Sequence, residues 1–259
     1  MMLRPPSTMA GDGLATPPAG GAALSEDPIW RTRLHVPLST LANKDVASDA
    51  THDIGADVDL TVNDSASIAT ADIVNGTGLV ITSTAAGVVR LSFDLDAITA
   101  LNTRRELRLV WVFSVTGGQA GDRVLCTLTD STTGTYTRSL QLGYKWTGGT
   151  DRKARYQVYD GGWTQGDDDV ITSSDGQTYR VELNVMGHHA RGYVDLASAP
   201  ADNPEDGTFR RFLNTAESQQ SDAEVDPWSS ARMARMDIVP AGNTALNITI
   251  TDFYVLEAA

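Results

Sequence analysis

Glu106-Leu-Arg-Leu-Val-Trp-Val-Phe-Ser-Val115 decides the fold of this chain. Leu107, Leu109, Trp111, Phe113 and Val115 recur at every second position, the period of a strand. Val110 and Val112 make the opposite face partly apolar, as a strand with neighbours on both sides requires. The same period continues downstream. Tyr136, Leu140, Leu142 and Tyr144 alternate with polar residues, and so do Tyr156 and Val158, then Tyr179, Val181, Leu183 and Val185. Thr116-Gly-Gly, Thr147-Gly-Gly, Asp160-Gly-Gly and Ser174-Asp-Gly mark the turns, and Arg191-Gly-Tyr-Val-Asp195 closes the series. Residues 106–195 thus predict five or six consecutive strands with no helical period. The fold class is all-β, an antiparallel β-sandwich.

Working outward, Leu34, Val36 and Leu38 alternate in a strand that Pro37 places at an edge or an end. Val58, Leu60 and Val62 repeat the pattern, as do Val89, Leu91, Phe93 and Leu95. Asp96-Ala-Ile-Thr-Ala-Leu-Asn-Thr103 is the best helical candidate. Residues 198–229, around Pro200, Pro204 and Pro227, predict a long acidic loop, a length usually kept for function or mobility. Met236–Pro240 and Leu246–Ile250 supply the last strands. The alternation shifts at Thr251-Asp252 before Phe253 and Val255, which predicts a β-bulge.

Composition narrows the classes further. A chain of 259 residues can bury roughly 75% of its unfolded surface and needs no metal or disulfide to fold. Its single cysteine, Cys126, excludes an intramolecular disulfide and reads as a small buried apolar residue. A formal net charge of −13 opposes a phosphate backbone, so nucleic acid is not an expected partner. Acid gathers in residues 45–64, with six Asp and no Lys or Arg, and in residues 202–226, with seven acids against two arginines. Both read as solvated loops. No apolar run suits a secretory signal or a membrane helix, so the expectation is synthesis in the host cytoplasm without membrane insertion.

Residues 1–28 stand apart from the body at 29–259. They hold five of the chain's ten prolines, Pro5, Pro6, Pro17, Pro18 and Pro28, with Gly, Ala and Thr filling much of the rest. Such a segment has no core of its own to offset the entropy of ordering. It predicts an extended docking arm, with Leu3, Arg4, Pro5, Pro6, Leu14, Pro17 and Pro18 as the residues that meet a partner surface.

Tyr179-Arg-Val-Glu-Leu-Asn-Val-Met-Gly187 followed by Gly192-Tyr-Val-Asp195 resembles the paired strands of laminin-G-like domains. The family's closing Gly is replaced by Leu196. Ile250-Thr-Asp-Phe-Tyr-Val255 resembles that family's last strand, which pairs with the first. The resemblance implies a concanavalin A-like jelly roll over about residues 30–259, and activity does not follow from it. The arm, the body, the absent secretion signal and the acidic balance together resemble, in style, bacteriophage virion proteins: capsid-decorating proteins, head fibres and tail-attached adhesins.

No constellation for catalysis converges. The related hydrolases carry Glu-x-Asp-x-x-Glu on one strand, and that string is absent. Asp94 and Asp96 would lie about 6.7 Å apart on one strand face, within the range for a carboxylate pair, but their alternation with an apolar set reads as a solvated face. His188-His189 sit in a predicted turn, and neighbours on a strand could not chelate one ion. No cofactor is expected. Asp167-Asp-Asp169, read as a loop, is the weak calcium candidate. Trp146 and Trp163 are candidate glycan contacts, but a strand of about 25 Å between them argues against one shared platform. Trp228, beside Pro227, is a candidate anchor on a partner. The expected function is therefore a non-catalytic, multi-copy or homo-oligomeric component of a virion surface, fixed to other virion proteins by its arm. The alternatives are a glycan-binding adhesin that takes a cell-surface glycan, and a polysaccharide-degrading enzyme.

Overall fold

The computed structural model describes residues 30–46, 49–64, 66–98, 107–130, 138–148, 151–160, 163–172, 176–186, 189–196, 210–211 and 233–258. The arm residues Leu3, Arg4, Pro5, Pro6, Leu14, Pro17 and Pro18, with Trp228 and His188, lie outside them. The first strands are β1 (Trp30–Val36), β2 (Lys44–Asp45), β3 (Ala50–His52), β4 (Leu60–Asn63), β5 (Ala69–Val74), β6 (Gly78–Ser83) and β7 (Val89–Asp94). The middle ones are β8 (Leu107–Gly117), β9 (Arg123–Thr129), β10 (Arg138–Gly148), β11 (Asp151–Asp160), β12 (Trp163–Thr172), β13 (Thr178–Met186) and β14 (His189–Leu196). β15 (Arg210–Arg211), β16 (Met233–Val239) and β17 (Leu246–Ala258) complete the described set.

All described pairings are antiparallel, and they build two sheets. The first runs β15-β14-β13-β8-β17-β6-β5-β2, with β1 added to β17, and the second runs β12-β11-β10-β9-β16-β7-β4-β3. Each sheet turns one apolar face inward: Leu109, Trp111, Phe113, Val181 and Ile248 from the first, Leu91, Phe93, Cys126, Leu142 and Met236 from the second. These fuse into one core, so the molecule is a β-sandwich of jelly-roll type. Two aromatic clusters bridge the sheets. Phe93 of the second packs on Trp111 (centroids 5.7 Å apart) and Phe253 (4.8 Å) of the first. Tyr144 of the second packs on Phe113 (6.4 Å) and Tyr179 (5.4 Å) of the first.

β17 holds the first sheet together. One edge pairs with β8 along nearly its whole length, while the other is divided between β6, at Leu246–Ile250, and β1, at Phe253–Ala258. The predicted bulge sits where the partners change, between Ile250 and Asp252. Gly78, at φ +128°, begins β6 at this junction, where a Cβ would overlap the Ile250 carbonyl. The strand that closes the chain therefore pairs with the strand that opens the body, and β8 is central, both as expected.

Several expectations need correction. Residues 106–195 contain seven described strands, not five or six. The helical candidate is only a 3-10 turn at Leu95–Ala97 within the described residues. Asp167–Asp169 belong to strand β12, not to a loop, because β11 offers them a hydrogen-bonding edge. His189 begins β14 instead of sitting in a turn. The stretch read as loop includes the short strand β15, which pairs with β14. The hairpin β5–β6 was not anticipated, although Asn75-Gly76 is a hairpin signal. Cys126 is buried, and desolvation first, then the negative charge of Asp237, raises its thiol pKa well above the ordinary value. Among the described residues no helix is long and apolar enough to cross a membrane.

Candidate binding face on the second sheet

A strand with one face in the core has its other face free for function. On the second sheet that outer face is polar, and register aligns it into rows. One row crosses all eight strands: Thr51, Thr61, Ser92, Arg235, Thr127, Gln141, Gln157 and Gln165 are successive Cα partners from β3 to β12. At about 4.8 Å between strands, seven steps span roughly 34 Å. Every position carries a hydroxyl, an amide or a guanidinium. Thr51 is exposed and Thr61 half-buried, whereas Ser92, Arg235, Thr127, Gln141 and Gln157 are buried.

The next row contains Asn63, Arg90, Asp237, Leu125, Gly143 and Arg155. The two rows are tied together by Asp237. Its carboxylate accepts from the Arg235 guanidinium at 2.9 Å, with a second nitrogen–oxygen approach of 2.7 Å, and from the Gln141 amide at 3.0 Å. Arg90 approaches the same carboxylate at 3.9 Å. Burying these charges is tolerable because they are paired and hydrogen-bonded. Gly143 fits its place because a Cβ there would overlap the Val124 carbonyl. Two hydroxyls of the face, Ser92 Oγ and Ser139 Oγ, are buried with no hydrogen-bond partner. An unsatisfied buried hydroxyl costs about 1–3 kcal/mol.

The outer face of the first sheet is organised differently. Glu182, fully buried on β13, is held by Arg180 at 2.7 Å and Arg108 at 3.6 Å, and Arg108 donates to Asn184 at 3.2 Å. Beside them His35 stacks on Tyr254 with ring centroids 4.2 Å apart, and its Nε2 lies 2.9 Å from Asp252 Oδ1. Tyr254 donates to the same oxygen at 3.3 Å. Burial, then the charge and hydrogen bond of Asp252, raise the Tyr254 pKa, against an opposing pull from Arg180. These groups pair with one another, although Glu182 Oε2 makes no hydrogen bond and has Arg108 only at 3.6 Å.

The residues singled out in the sequence do not gather on either face. Trp146, near the end of β10, is half-buried and packs against the core. It pairs with Arg152, while Trp163 pairs with Tyr159, so seven steps along β11, about 23 Å, separate their backbone positions. Asp94 and Asp96 do not share a strand face, because β7 ends at Asp94 and Asp96 lies in the 3-10 turn. Both are exposed, and an Asp94 oxygen accepts the Asp96 N–H at 2.9 Å, the role of an N-cap. Among the described residues no three His, Cys, Asp or Glu side chains are grouped to hold a metal ion. Asp167 and Asp168 stand opposite Arg155 and Ala154 in register.

No family model and no curated protein sequence matches the chain. Solved structures match its fold. The Emp47p carbohydrate recognition domain superposes with a TM-score of 0.54 at 13% identity, covering 91% of this chain and 100% of that one. An uncharacterised protein from Mycobacterium paratuberculosis gives 0.51 at 11% identity, over 85% and 98%. The GH43 BlXynB protein from Bacillus licheniformis gives 0.50 at 12% identity, over 89% of this chain and 40% of that one. At such identities the likeness is one of fold.

Proposed function

We propose that the chain is a non-catalytic glycan-binding module whose contact surface is the outer face of the second sheet. The observation that carries this is the unbroken polar row from Thr51 to Gln165, in which the Ser92 hydroxyl, like that of Ser139 on the same face, makes no hydrogen bond. A saccharide presents hydroxyls that both donate and accept; amide and hydroxyl side chains answer both roles, and a guanidinium donates. The shared fold with the Emp47p carbohydrate recognition domain supports the reading by analogy. A glycan array probed with the full chain should give specific binding. Gln157→Ala and Asn63→Ala, each removing an amide from adjoining rows, should weaken that binding tenfold or more with an unchanged far-ultraviolet spectrum. Binding that both variants retain in full would place the contact elsewhere.

We further propose that this module works on the surface of a bacteriophage particle, carried there by residues 1–28. The composition of that segment, five prolines among Gly, Ala and Thr, supports an arm that gains order on a neighbouring protein, for instance by adding a strand to an exposed sheet edge. Deleting residues 1–28 should abolish incorporation into particles while the body keeps its melting temperature. Normal occupancy of the truncated protein would remove this setting and leave the glycan-binding reading intact.

A further inference from the structure

We infer that the chain has a second, smaller saccharide site, a cavity that takes one amino-sugar residue with a free ammonium group; the ligand class rests on the glycan-binding reading. The cavity has a volume of about 270 Å³. Arg33 and Leu34 line it from β1, and Asp57 and Val58 from the loop between β3 and β4. Ala97 and Ile98, at the end of the 3-10 turn after β7, complete the lining. β1 belongs to the first sheet, and β3, β4 and β7 belong to the second. The cavity therefore sits at a seam of the sandwich, and none of its lining residues belongs to the polar row.

The lining sets the size and charge of the occupant. Sites for drug-sized molecules begin at about 300 Å³, so this cavity suits a single ring and not a chain of sugars. Leu34, Val58 and Ile98 are buried and offer apolar surface to the C–H face of such a ring. Arg33 already has its counter-ion. Its Nε lies 3.0 Å from one oxygen of Glu257 and its Nη2 lies 3.1 Å from the other, and Glu257 is buried. That fork fixes the guanidinium and offsets its charge. Asp57 differs: it is exposed and makes no hydrogen bond or ion pair among the described residues. It also lies within residues 45–64, which hold six Asp and no Lys or Arg. The lining charge left without a counter-ion is therefore negative, and its complement on a ligand is a cation.

Hydrogen bonding adds a further requirement. A guanidinium has five N–H donors, and Glu257 takes two of those on Arg33. The remaining donors suit a neutral acceptor, since a second carboxylate would be repelled by Glu257 across the same guanidinium. A hydroxyl for Arg33, an ammonium for Asp57 and an apolar ring face together describe an amino sugar whose nitrogen is not acylated. Its ammonium contact with Asp57 would be charge-assisted, about twice as strong as a neutral hydrogen bond.

The test titrates the full chain with glucosamine, glucose, N-acetylglucosamine and cyclohexylamine, read by ligand-observed NMR at about pH 6, where amines of pKa about 8 are protonated. Glucosamine should bind tenfold or more tighter than glucose and N-acetylglucosamine, which lack the cation. It should bind threefold or more tighter than cyclohexylamine, which lacks the hydroxyls. Asp57→Asn should bring glucosamine down to the level of glucose, whereas Asp45→Asn, the same change of charge on exposed β2, should leave it unchanged. Ala97→Phe, which fills the cavity from an exposed position, should abolish glucosamine binding. Glucose, N-acetylglucosamine or cyclohexylamine bound as tightly as glucosamine overturns the inference. So does full glucosamine binding by Asp57→Asn, or no glucosamine binding at millimolar concentration. None of these outcomes touches the glycan array or its Gln157 and Asn63 variants, so the second-sheet reading survives them. Glucosamine bound through Asp57 beside an otherwise silent array would keep the cavity and remove the second-sheet face.

Discussion

Asp237→Ala is expected to lower the unfolding free energy by about 3–5 kcal/mol, the usual consequence of stripping the partner from a buried charge. The reason lies in the geometry around β16. Arg235 and Asp237 are two residues apart on one strand, so their side chains share the outer face of the second sheet. Arg235 is fully buried, and its guanidinium meets both oxygens of the carboxylate, at 2.7 and 2.9 Å. Removal of the carboxylate takes both of these contacts from the buried cation and also the acceptor of the Gln141 amide. Asp237→Asn keeps the volume and one acceptor oxygen and should cost less, about 1.5–3 kcal/mol, the worth of hydrogen bonds to a charged group. Replacing both partners with apolar residues, Arg235→Met with Asp237→Leu, should recover most of the loss, because the desolvation penalty leaves together with the attraction. Urea unfolding followed by tryptophan fluorescence, with unchanged m-values, measures all three. A loss below 1 kcal/mol for Asp237→Ala would mean that Arg235 draws its compensation from elsewhere.

That pair also explains what could be read from the sequence and what could not. β8 was legible because its neighbours, β13 and β17, press apolar residues against it, and the period of two is printed in Leu107 to Val115. The bulge at Thr251-Asp252 was legible because a one-residue slip reverses the alternation there. β12 was not, since Gly166 and Asp167–Asp169 are poor strand formers and only the edge of β11 makes them a strand. β5 escaped because its inward residues include the small Ala71, which gives a weak apolar signal beside Ile73.

The candidate face on the second sheet lay further out of reach than any strand. Its polar row draws one residue from each of eight strands between positions 51 and 235, and each residue taken singly is an ordinary polar outward position. Only register brings Ser92, Arg235 and Thr127 side by side. Motif reading instead pointed to tryptophans and paired acids, and those the fold spends on core packing, in the case of Trp146, and on capping a turn, in the case of Asp94.

Trp111→Ala should be as damaging as loss of Asp237, about 3–5 kcal/mol, but by the opposite mechanism. Trp111 is fully buried at the middle of β8, with Phe253 at 4.4 Å and Phe93 at 5.7 Å between ring centroids. The cluster joins the two sheets, since Phe93 belongs to the second and the other two to the first. Truncation to alanine removes the indole from water-free surroundings and leaves a void that strands paired on both sides cannot close by moving together. At roughly 2–4 °C per kcal/mol for a body of this size, the melting temperature should fall by about 6–20 °C. Trp111→Phe separates packing from polarity. The indole Nε1 is buried without a hydrogen-bond partner, so phenylalanine relieves an unmet donor while giving up part of the ring volume. The two changes oppose each other, and the net cost should stay within about 1.5 kcal/mol. If Trp111→Phe were as costly as Trp111→Ala, the indole N–H would have to be bonded after all, and the aromatic cluster would owe its stability to that bond instead of to the packing of one sheet on the other.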